Sequence, residues 1–198
     1  MKQGSIKIPA DPIDGFLEWF EAAKAANVAE PTAMTLATSV DNKPSARIVL
    51  YKGVIDGSVM FVTNYESRKS VELAKNPNVA LVFFWQPLGR QIRIEGSVTK
   101  LSRAESEKYF AGRPRGSQIG AWSSPQSKVI DDRSDLLEEI RENEKRFEGG
   151  DVPCPPNWGG WLVLPSAIEF WEEREFRVHE RLRFTRDGKN WKRERLAP

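Results

Sequence analysis

The chain has 198 residues, a length that fits a single domain with one compact core. Hydrophobic residues make up 39% of the sequence and aromatic residues 10%, which is too many for a disordered chain. Its 30 basic and 28 acidic residues leave a net charge of only +2, and the two signs are interleaved. This near balance argues against nucleic acid or an anionic membrane as a partner, so any anionic ligand must be bound by a local cluster of cations.

Cysteine, histidine and apolar runs restrict the class of protein further. Cys154 is the only cysteine and His179 the only histidine, so an intrachain disulfide and a multi-thiolate or multi-histidine metal site are excluded. The segment from Met1 to Ala10 lacks the apolar run of a signal peptide, and no stretch approaches the ~18 consecutive apolar residues of a membrane span. We therefore expect a soluble, cytoplasmic protein without a metal site.

The first predicted element is a helix, and a series of strands follows it. Asp11 and Pro12 are typical of an N-cap and a first helical residue, and apolar residues then recur at helical spacing to about Ala26. The next segments rich in β-forming residues are Ala33 to Thr38, Ser45 to Tyr51, Ser58 to Thr63, Val79 to Trp85, and Gln91 to Leu101. Short connections, with turns at 41–44 and 56–57, predict antiparallel pairing, because parallel strands would need longer crossovers.

Further helices and a second β region complete the chain. Ser67 is predicted to cap a short helix that ends at Lys75, and Ser102 with Glu105 forms a capping box for a helix to about Phe110. A third, highly charged helix is predicted from 132 to 147. The final β segments are Trp161 to Leu164, Ala167 to Trp171, Arg181 to Phe184, and Trp191 to Arg195.

The chain has more predicted strands than one small sheet contains. This number predicts an α+β fold that is mainly β, with a barrel that closes its own edges and helices packed outside. No Gly-rich phosphate loop follows the first strand, so a Rossmann or Walker nucleotide site is not expected.

Two groups of cations occur in the first half of the chain. Arg68 and Lys69 follow the predicted cap Ser67, so two positive charges and a helix N-terminus would converge, an arrangement that suits a phosphate. Ordinary surface charges are the commoner explanation of such a pair. Arg47 and Lys52 should face opposite sides of a regular strand unless a bulge redirects one of them, but they are equally explained as strand-end charges.

A second cluster, Arg113, Arg115 and Ser117, follows the helix that ends near Tyr109 and Phe110. Arginine can bind phosphate bidentately, and serine or tyrosine hydroxyls can complete such a pocket. A basic turn without function explains the same pattern.

The single histidine lies in a third group of cationic residues. His179 alternates with Arg177 and Arg181, so all three share one face if the segment is extended. They would repel each other there unless an anion or an electron-rich ring lay among them. A lone histidine is nevertheless more often a surface or core residue than a catalytic one.

At these residues the chain resembles the pyridoxine/pyridoxamine 5′-phosphate oxidase family. The resemblance runs from about Asp11 to Pro198 and rests on short motifs in a fixed order. The motifs are Pro31-Thr32-Ala33-Met34, Arg47-Ile48-Val49-Leu50-Tyr51-Lys52, Thr63-Asn64, Ser67-Arg68-Lys69, Arg90-Gln91, Arg113-Pro114-Arg115, Ser117-Gln118-Ile119-Gly120-Ala121, Gln126-Ser127, Trp158-Gly159-Gly160, Glu169-Phe170-Trp171, Arg177-Val178-His179-Glu180-Arg181 and Arg195-Leu196-Ala197-Pro198.

The resemblance implies a fold and an assembly. The fold is an FMN-binding split β-barrel, antiparallel and Greek-key-like with peripheral helices, that takes residues 1–198 as a single domain. The assembly is a homodimer with two FMN in clefts between the subunits, in which 150–198 serves dimerisation and the active site. Residues 1–10 are shorter than the N-terminal arm usual in the family, and we expect them to form a flexible arm rather than a lid.

The resemblance also assigns the site residues by position. Flavin contacts fall on Arg47, Ile48, Val49, Leu50, Tyr51, Lys52, Val62, Thr63, Arg68, Lys69, Gln91, Gln126, Ser127, Trp171 and Arg181. Substrate contacts fall on Lys52, Tyr109, Arg113, Ser117, Arg177, Val178 and His179. Arg177 and His179 would be the catalytic pair, lying over the substrate's pyridine ring. The two cationic clusters thereby become two phosphate sites, one per ligand.

The implied activity is the oxidation of pyridoxamine 5′-phosphate and pyridoxine 5′-phosphate to pyridoxal 5′-phosphate by O2, in vitamin B6 cofactor biosynthesis and salvage. A hydride would pass from the substrate C4′ carbon to flavin N5, O2 would reoxidise the flavin to give H2O2, and the amine substrate would also release ammonia.

Two alternatives stay open. One is a related flavin oxidase acting on another ring, as in the phenazine branch of the fold, although without a substrate phosphate Lys52 and the 113–117 cluster would be unpaired. The other is an FMN- or pyridoxal-phosphate-binding protein with little turnover, against which Arg177 and His179 argue less strongly.

Overall fold

The computed structural model describes residues 5–198, and within them the chain forms nine β-strands and five α-helices. The helices are α1 (Pro12–Ala25), α2 (Arg68–Lys75), α3 (Arg103–Ala111), α4 (Arg115–Ser123) and α5 (Arg133–Arg146). The strands are β1 (Ala33–Val40), β2 (Lys43–Leu50), β3 (Val54–Ile55), β4 (Ser58–Asn64), β5 (Asn78–Trp85), β6 (Arg90–Lys100), β7 (Trp158–Glu172), β8 (Glu180–Asp187) and β9 (Asn190–Leu196). In this part of the chain no helix is long and apolar enough to cross a membrane.

The strands form one antiparallel sheet that bends round on itself. Its order is β2-β1-β5-β6-β7-β4-β3, with β8 paired to β7 and β9 to β8. Just after β2, the Lys52 amide donates to the Met60 carbonyl and the Met60 amide to the Gly53 carbonyl, each at 2.8 Å, so the end of β2 meets β4. The predicted mainly β, antiparallel barrel with helices outside is confirmed.

Both predicted hairpin turns are present, and their backbone angles explain the residues found there. Asp41 and Asn42 have φ of 51° and 59°, and Asp56 and Gly57 have φ of 47° and 73°. Two successive positive φ angles define the type I′ turn, which matches the twist of the strands and is tolerated best by Asn, Asp and Gly. These two turns therefore fix the register of β1 with β2 and of β3 with β4.

The main core lies between α1 and the barrel. The Asp11 side chain accepts a hydrogen bond from the Ile13 amide at 2.8 Å, which confirms the predicted N-cap. The Phe16 ring lies 5.2 Å from that of Tyr51 and 5.1 Å from that of Phe83, all three being buried. Each aromatic side chain fully buried in this way contributes roughly 1.5–3 kcal/mol.

Strand β7 is longer than the sequence predicted. The segments 161–164 and 167–171 are parts of one strand of 15 residues. Opposite Pro165, the register of β6 shifts between Glu95 and Gly96, a bulge that bends the strand without ending it. A Cβ atom on Gly96 would lie 2.2 Å from the Leu164 carbonyl oxygen, so only glycine fits. As a result the first half of β7 pairs with β4 and its last part with β8.

Three features differ from the sequence prediction. Helix α4 was not predicted; Pro114 precedes it and no side chain caps it. The two-residue strand β3 was not predicted. The prediction that residues 1–10 form a flexible arm is wrong for residues 5–10. Ile6 and Ile8 are buried, and the Ile6 amide donates to Glu180 Oε2 at 2.8 Å. Residues 1–4 lie outside the described part of the chain.

Candidate functional site

A cleft of about 960 Å³ lies between the barrel and the segment from α3 to residue 126. Its walls come from β2, β4, the start of α2, α3 and the beginning of α4. The predicted site residues that line it are Ile48, Val49, Leu50, Lys52, Val62, Thr63, Lys69, Tyr109, Arg113, Ser117 and Gln126. The structure thus brings one part of the predicted flavin set into one cavity with Arg113 and Ser117 of the predicted phosphate-binding cluster, while Arg115 of that cluster lies outside it.

Lys69 is held inside this cleft by neutral acceptors. Its Nζ donates to Gln126 Oε1 at 2.7 Å and to Thr63 Oγ1 at 3.0 Å, and it lies 3.2 Å from Ser67 Oγ. Burial, together with the nearby charge of Arg47, lowers the pKa of Lys69 to about 8. Within residues 5–198 no carboxylate pairs with this ammonium group, so an anion bound in the cleft would stabilise it.

The cap predicted at Ser67 takes a different form. Ser67 is the N-cap residue of α2 by position, but its side chain accepts no helix-capping hydrogen bond. Its hydroxyl instead donates to the Asn64 carbonyl at 2.7 Å. The hydroxyl therefore does not occupy the amides of the first turn of α2, where Arg68 and Lys69 begin the helix.

Arg47 and Arg68 share one carboxylate, which the sequence analysis did not identify. Arg47 Nη2 lies 2.7 Å from Glu72 Oε2, and Arg68 Nε lies 2.9 Å from Glu72 Oε1. Thr38 also donates to Glu72, at 2.6 Å. Burial alone would raise the pKa of Glu72, but these three donors hold it below its usual range. Neither arginine lines the cleft, whereas Lys52 and Lys69, the other two cations predicted in the first half of the chain, both do.

Arg113 lies in the same cleft with part of its guanidinium unsatisfied. Its Nη1 atom is buried and has no hydrogen-bond partner among the described residues. The guanidinium lies over the Trp158 ring, 4.6 Å from the centroid, and burial lowers its pKa. Because a buried cationic donor without a partner is costly, this atom indicates a missing anionic ligand. Tyr109, Ser117 and Lys52 line the same cavity.

A second group of predicted residues lies on β6, β7 and β8. Gln91 is paired with Trp171, and Trp171 with Arg181, so the three side chains form a row on one face of the sheet. Arg181 is bound by the buried Glu169, with Nε–Oε1 at 2.8 Å and Nη2–Oε2 at 3.1 Å. The His179 ring packs against Trp171 with 4.7 Å between centroids.

The loop with the predicted catalytic pair is not extended. Residues 175–177 form a single 3-10 turn, in which Phe176 and Arg177 have φ of 55° and 62°. An extended segment was the condition under which Arg177, His179 and Arg181 would share one strand face, and this condition is not met. His179 Nδ1 accepts a hydrogen bond from the Arg174 amide at 3.2 Å, which places the proton of the neutral imidazole on Nε2. Arg177, Val178 and Phe176 are exposed on the loop.

The two groups lie at opposite ends of β7. Val62 and Thr63 of the cleft pair with Gly160 and Gly159, whereas Trp171 of the second group is near the other end. The path from Gly160 to Trp171 is roughly 35 Å of strand, at ~3.3 Å per residue. The single chain therefore does not bring Gln91, Trp171 and the loop to its own cleft, and none of them lines it.

Other predicted residues also lie outside the cleft. The Tyr51 side chain is buried in the core against Phe16 and Phe20, so any flavin contact of Tyr51 would have to involve its main chain. Ser127 follows Gln126 on the exposed surface, with a positive φ of 72°. Several lining residues were not predicted: Ile55, Met60, Leu101, Glu105, Lys108, Gly112 and Pro114. Ile55 and Met60 lie on β3 and β4, and the other five belong to α3 or its flanks. Only the placement of α3 over the barrel brings them together, because their local sequence is that of ordinary strands and an ordinary helix.

Comparison with known proteins gives the family of this chain. The model described as "Pyridoxamine 5'-phosphate oxidase" matches residues 20–142, and the one described as "Pyridoxine 5'-phosphate oxidase C-terminal dimerisation region" matches 158–198. The chain is 52% identical over 192 residues to the pyridoxine/pyridoxamine 5′-phosphate oxidase of Salinibacter ruber, covering 95% of this chain and 89% of that protein.

Two solved structures share the fold. PhzG from Burkholderia lata 383, solved in complex with tetrahydrophenazine-1-carboxylic acid, superposes with a TM-score of 0.91 at 32% identity, covering 98% of this chain and 100% of that one. A pyridoxamine 5′-phosphate oxidase-related, FMN binding protein from Nostoc punctiforme has a TM-score of 0.76 at 16% identity, covering 96% of this chain and 100% of that one, a likeness that concerns the fold alone.

Together with these relatives, the barrel and its cation-lined cleft identify a split-barrel flavoprotein of the oxidoreductase class. The chain belongs to the pyridoxamine 5′-phosphate oxidase family. FMN is the cofactor, as the sequence predicted, and the match of 158–198 to a dimerisation region supports the predicted homodimer.

Proposed function

We propose that this chain oxidises pyridoxamine 5′-phosphate and pyridoxine 5′-phosphate to pyridoxal 5′-phosphate, using FMN and O2, in vitamin B6 cofactor biosynthesis and salvage. The observation that carries the proposal is that Arg113 and Lys69 line the same cleft. Among the described residues, Nη1 of Arg113 has no hydrogen-bond partner and the ammonium of Lys69 has no carboxylate partner. Two separate cationic positions fit two phosphate esters, one from the flavin and one from the substrate. The cytoplasmic location predicted from the sequence is part of this proposal.

The flavin side of the cleft is assigned to β2, β4 and α2. Lys69 would bind the flavin phosphate, and Arg47 and Arg68 would turn from Glu72 toward the same anion. The exposed backbone after Arg47, at Ile48 to Leu50, would follow the flavin ring, with Val62, Thr63, Gln126 and Ser127 around it. Bound there, FMN would supply two-electron redox chemistry, with O2 as the final electron acceptor and H2O2 as its product.

The substrate side of the cleft is assigned to α3 and α4. Arg113 would bind the substrate phosphate through the donor that lacks a partner, Lys52 would add a second positive charge, and the hydroxyls of Tyr109 and Ser117 would complete the pocket. Arg113 is stacked on Trp158 and half-buried, so its direction is fixed before the ligand arrives.

The remaining residues are assigned to the second copy of the chain. Since Gln91, Trp171 and Arg181 lie at the far end of β7, a partner subunit would bring its own row to this cleft, together with Arg177, Val178 and His179. His179 would offer Nε2–H to the substrate, and Arg177 would lie over the pyridine ring. These groups orient the substrate carbon that loses hydride and exclude water from it.

The phenazine-type alternative is favoured by one observation, the high structural similarity to PhzG. A substrate with a carboxylate in place of a phosphate ester would satisfy Arg113 in part. Such a substrate would leave Lys52 and the hydroxyls of Tyr109 and Ser117 without a phosphate to bind.

Turnover in air tests the proposal. The purified chain with FMN would be given pyridoxine 5′-phosphate, pyridoxamine 5′-phosphate, or unphosphorylated pyridoxine, and aldehyde and H2O2 would be followed together. We expect equal amounts of aldehyde and peroxide from both phosphate esters, ammonia from the amine alone, and little from pyridoxine. A flavin-loaded protein that forms neither product, or that oxidises tetrahydrophenazine-1-carboxylic acid in preference, would contradict the assignment.

A further inference from the structure

The loop at 173–179 leaves the sheet between two carboxylates that face each other. Glu172 at the end of β7 and Glu180 at the start of β8 are directly paired in the strand register. Both side chains are largely removed from water, with 7% and 12% of their surface exposed. Like charges opposite each other on neighbouring strands repel, so this pair, which we call the neck of the loop, needs nearby cations to be stable.

Three arginines supply those cations in an alternating chain of charges. Arg90 Nε lies 2.9 Å from Glu172 Oε1, and Arg174 bridges the two carboxylates, with Nη1 at 2.5 Å from Glu172 and Nη2 at 3.1 Å from Glu180. Arg195 of β9 pairs with the other oxygen of Glu180. The Arg174 bridge therefore joins the first and last residues of the loop's neck.

Glu180 also binds the N-terminal segment. The Ile6 amide donates to Glu180 Oε2 at 2.8 Å, and Ile6 and Ile8 are buried beside the barrel. Burial by itself raises the pKa of Glu180, but the donors Ile6, Arg195 and Arg174 lower it overall. One carboxylate thus connects residue 6, the neck of the loop and the last strand.

This network reaches the predicted catalytic histidine through a single residue. The backbone amide of Arg174 donates to His179 Nδ1, while its side chain is the bridge to Glu180. A shift of Arg174 would therefore move the imidazole. Phe176 and Arg177, at φ of 55° and 62°, hold a backbone conformation that is costly for residues other than glycine and persists only where its surroundings fix it.

We infer that Glu180 is a positioning residue for the reaction: its carboxylate, with Arg174, closes the neck of the 173–179 loop and so sets the place of His179 and Arg177. The inference rests on the proposed function, in which those two residues contact the substrate. Glu180 itself does not touch the substrate. The N-terminal segment, which binds Glu180 through the Ile6 amide, stabilises the loop through that carboxylate.

The test compares Glu180→Gln with Glu194→Gln in the full-length, FMN-loaded protein. Glu194 lies on the neighbouring strand and forms an ion pair with the exposed Lys192, so its replacement removes one carboxylate outside the network around the loop. We expect Glu180→Gln to retain FMN, to speed amide hydrogen exchange in 173–179, and to lower kcat/KM for pyridoxine 5′-phosphate by roughly 10- to 100-fold, the cost of a small misplacement of catalytic groups. Glu194→Gln should match the wild type in all three measurements.

A second variant separates positioning from a general loss of structure. Arg174→Gln removes the bridge from the other side, and the double variant should be no worse than either single one, because both changes break one unit. Glu180→Asp, which keeps the carboxylate, should recover part of the kcat/KM lost in Glu180→Gln.

Equal exchange rates in 173–179 for Glu180→Gln and Glu194→Gln, or additive losses in the double variant, would overturn the inference. Hydrogen exchange can be measured without substrate. If Glu180→Gln speeds exchange in 173–179 but the protein has no oxidase activity, the proposed function is wrong, while the role of Glu180 in holding the loop stands.

Discussion

At the scale of single residues, the site depends on two cations that have no carboxylate partner in the described part of the chain, Lys69 and Arg113. Both were identified in the sequence, because a cation beside a predicted helix start or after a helix end is visible in the order of residues. Glu72 was not. Its pair with Arg68 is local, four residues apart on α2, but its pairing with Arg47 spans 25 positions and exists only once α2 packs on the barrel. Local spacing indicates which cations are present, and tertiary packing decides which of them are neutralised.

Arg113→Ala should weaken substrate binding and leave flavin binding intact. The loss of one charge-assisted contact to phosphate corresponds to roughly 1.5–3 kcal/mol, about a 10- to 150-fold rise in KM for pyridoxine 5′-phosphate. Steady-state kinetics and flavin absorbance would be measured on the same preparation. Arg115→Ala is the matched control, because Arg115 donates to the Gly150 and Phe147 carbonyls, away from the cleft. Release of flavin by Arg113→Ala would contradict the division into two phosphate sites.

Lys69 should make the affinity for FMN depend on pH. Its pKa of about 8 in the free protein lies below the ordinary value, so the ammonium loses its proton as pH rises through 8. The flavin phosphate is fully ionised there and prefers the protonated lysine, so affinity should fall above pH 8, by at most about tenfold per pH unit. Flavin fluorescence quenching from pH 6.5 to 9.5 measures this. Lys69→Arg keeps its charge throughout and should give a flat profile; a sloping one would assign the effect to another group.

At the scale of elements, the order of helices and strands was largely predictable, since apolar periodicity and turn residues are local. The failures have physical causes. Strand β7 was divided at Pro165 and Ser166, where a bulge rather than a turn accommodates the proline. Helix α4 was missed because Gly116 and Gly120 weaken its propensity, and its burial of Gln118 and Ile119 is decided by packing.

The close approach of α3 and β4 to β7 depends on Gly159, and Gly159→Ala should test it. An added Cβ would lie 2.2 Å from Tyr65 Oη and 2.8 Å from Ser106 Oγ. We expect a loss of about 1–3 kcal/mol in the free energy of unfolding, measured in urea, because the core must shift to accept the methyl group. Gly120→Ala in α4 meets nothing within 4 Å and should be neutral or stabilising. Equal stability of the two variants would mean that the neighbours of Gly159 move freely.

At the scale of the whole molecule, the barrel could be predicted from the sequence. Whether one chain supplies all of the predicted site residues to one cleft could not. Gln91, Trp171 and Arg181 are far apart in sequence, and only the strand register places them in one row. Periodicity cannot show that this row and the cleft lie at opposite ends of β7. If the row and the cleft act on one ligand, as the family resemblance implies, the geometry requires two chains.

Mixed dimers test this requirement. Arg113→Ala alters the cleft of its own chain, and His179→Ala alters the loop given to the partner's cleft, so each dimer of one variant has two defective sites. A dimer with one chain of each has one intact site and one doubly altered site. If subunits reassort at random after mixing and refolding, activity should recover to about a quarter of the wild-type value. No recovery, with mixed dimers verified by mass, would place both residues in a site within one chain.

The cations of the cleft also affect the chain before any ligand is present. The ammonium of Lys69 is buried near the positive charge of Arg47 and has no carboxylate partner among the described residues, so the flavin-free fold carries an electrostatic cost that FMN would remove. A ligand that binds only the folded state shifts the folding equilibrium toward it. The supply of FMN in the cell should therefore set how much newly made chain survives proteolysis, so that abundance of the enzyme follows riboflavin status without any change in its gene expression.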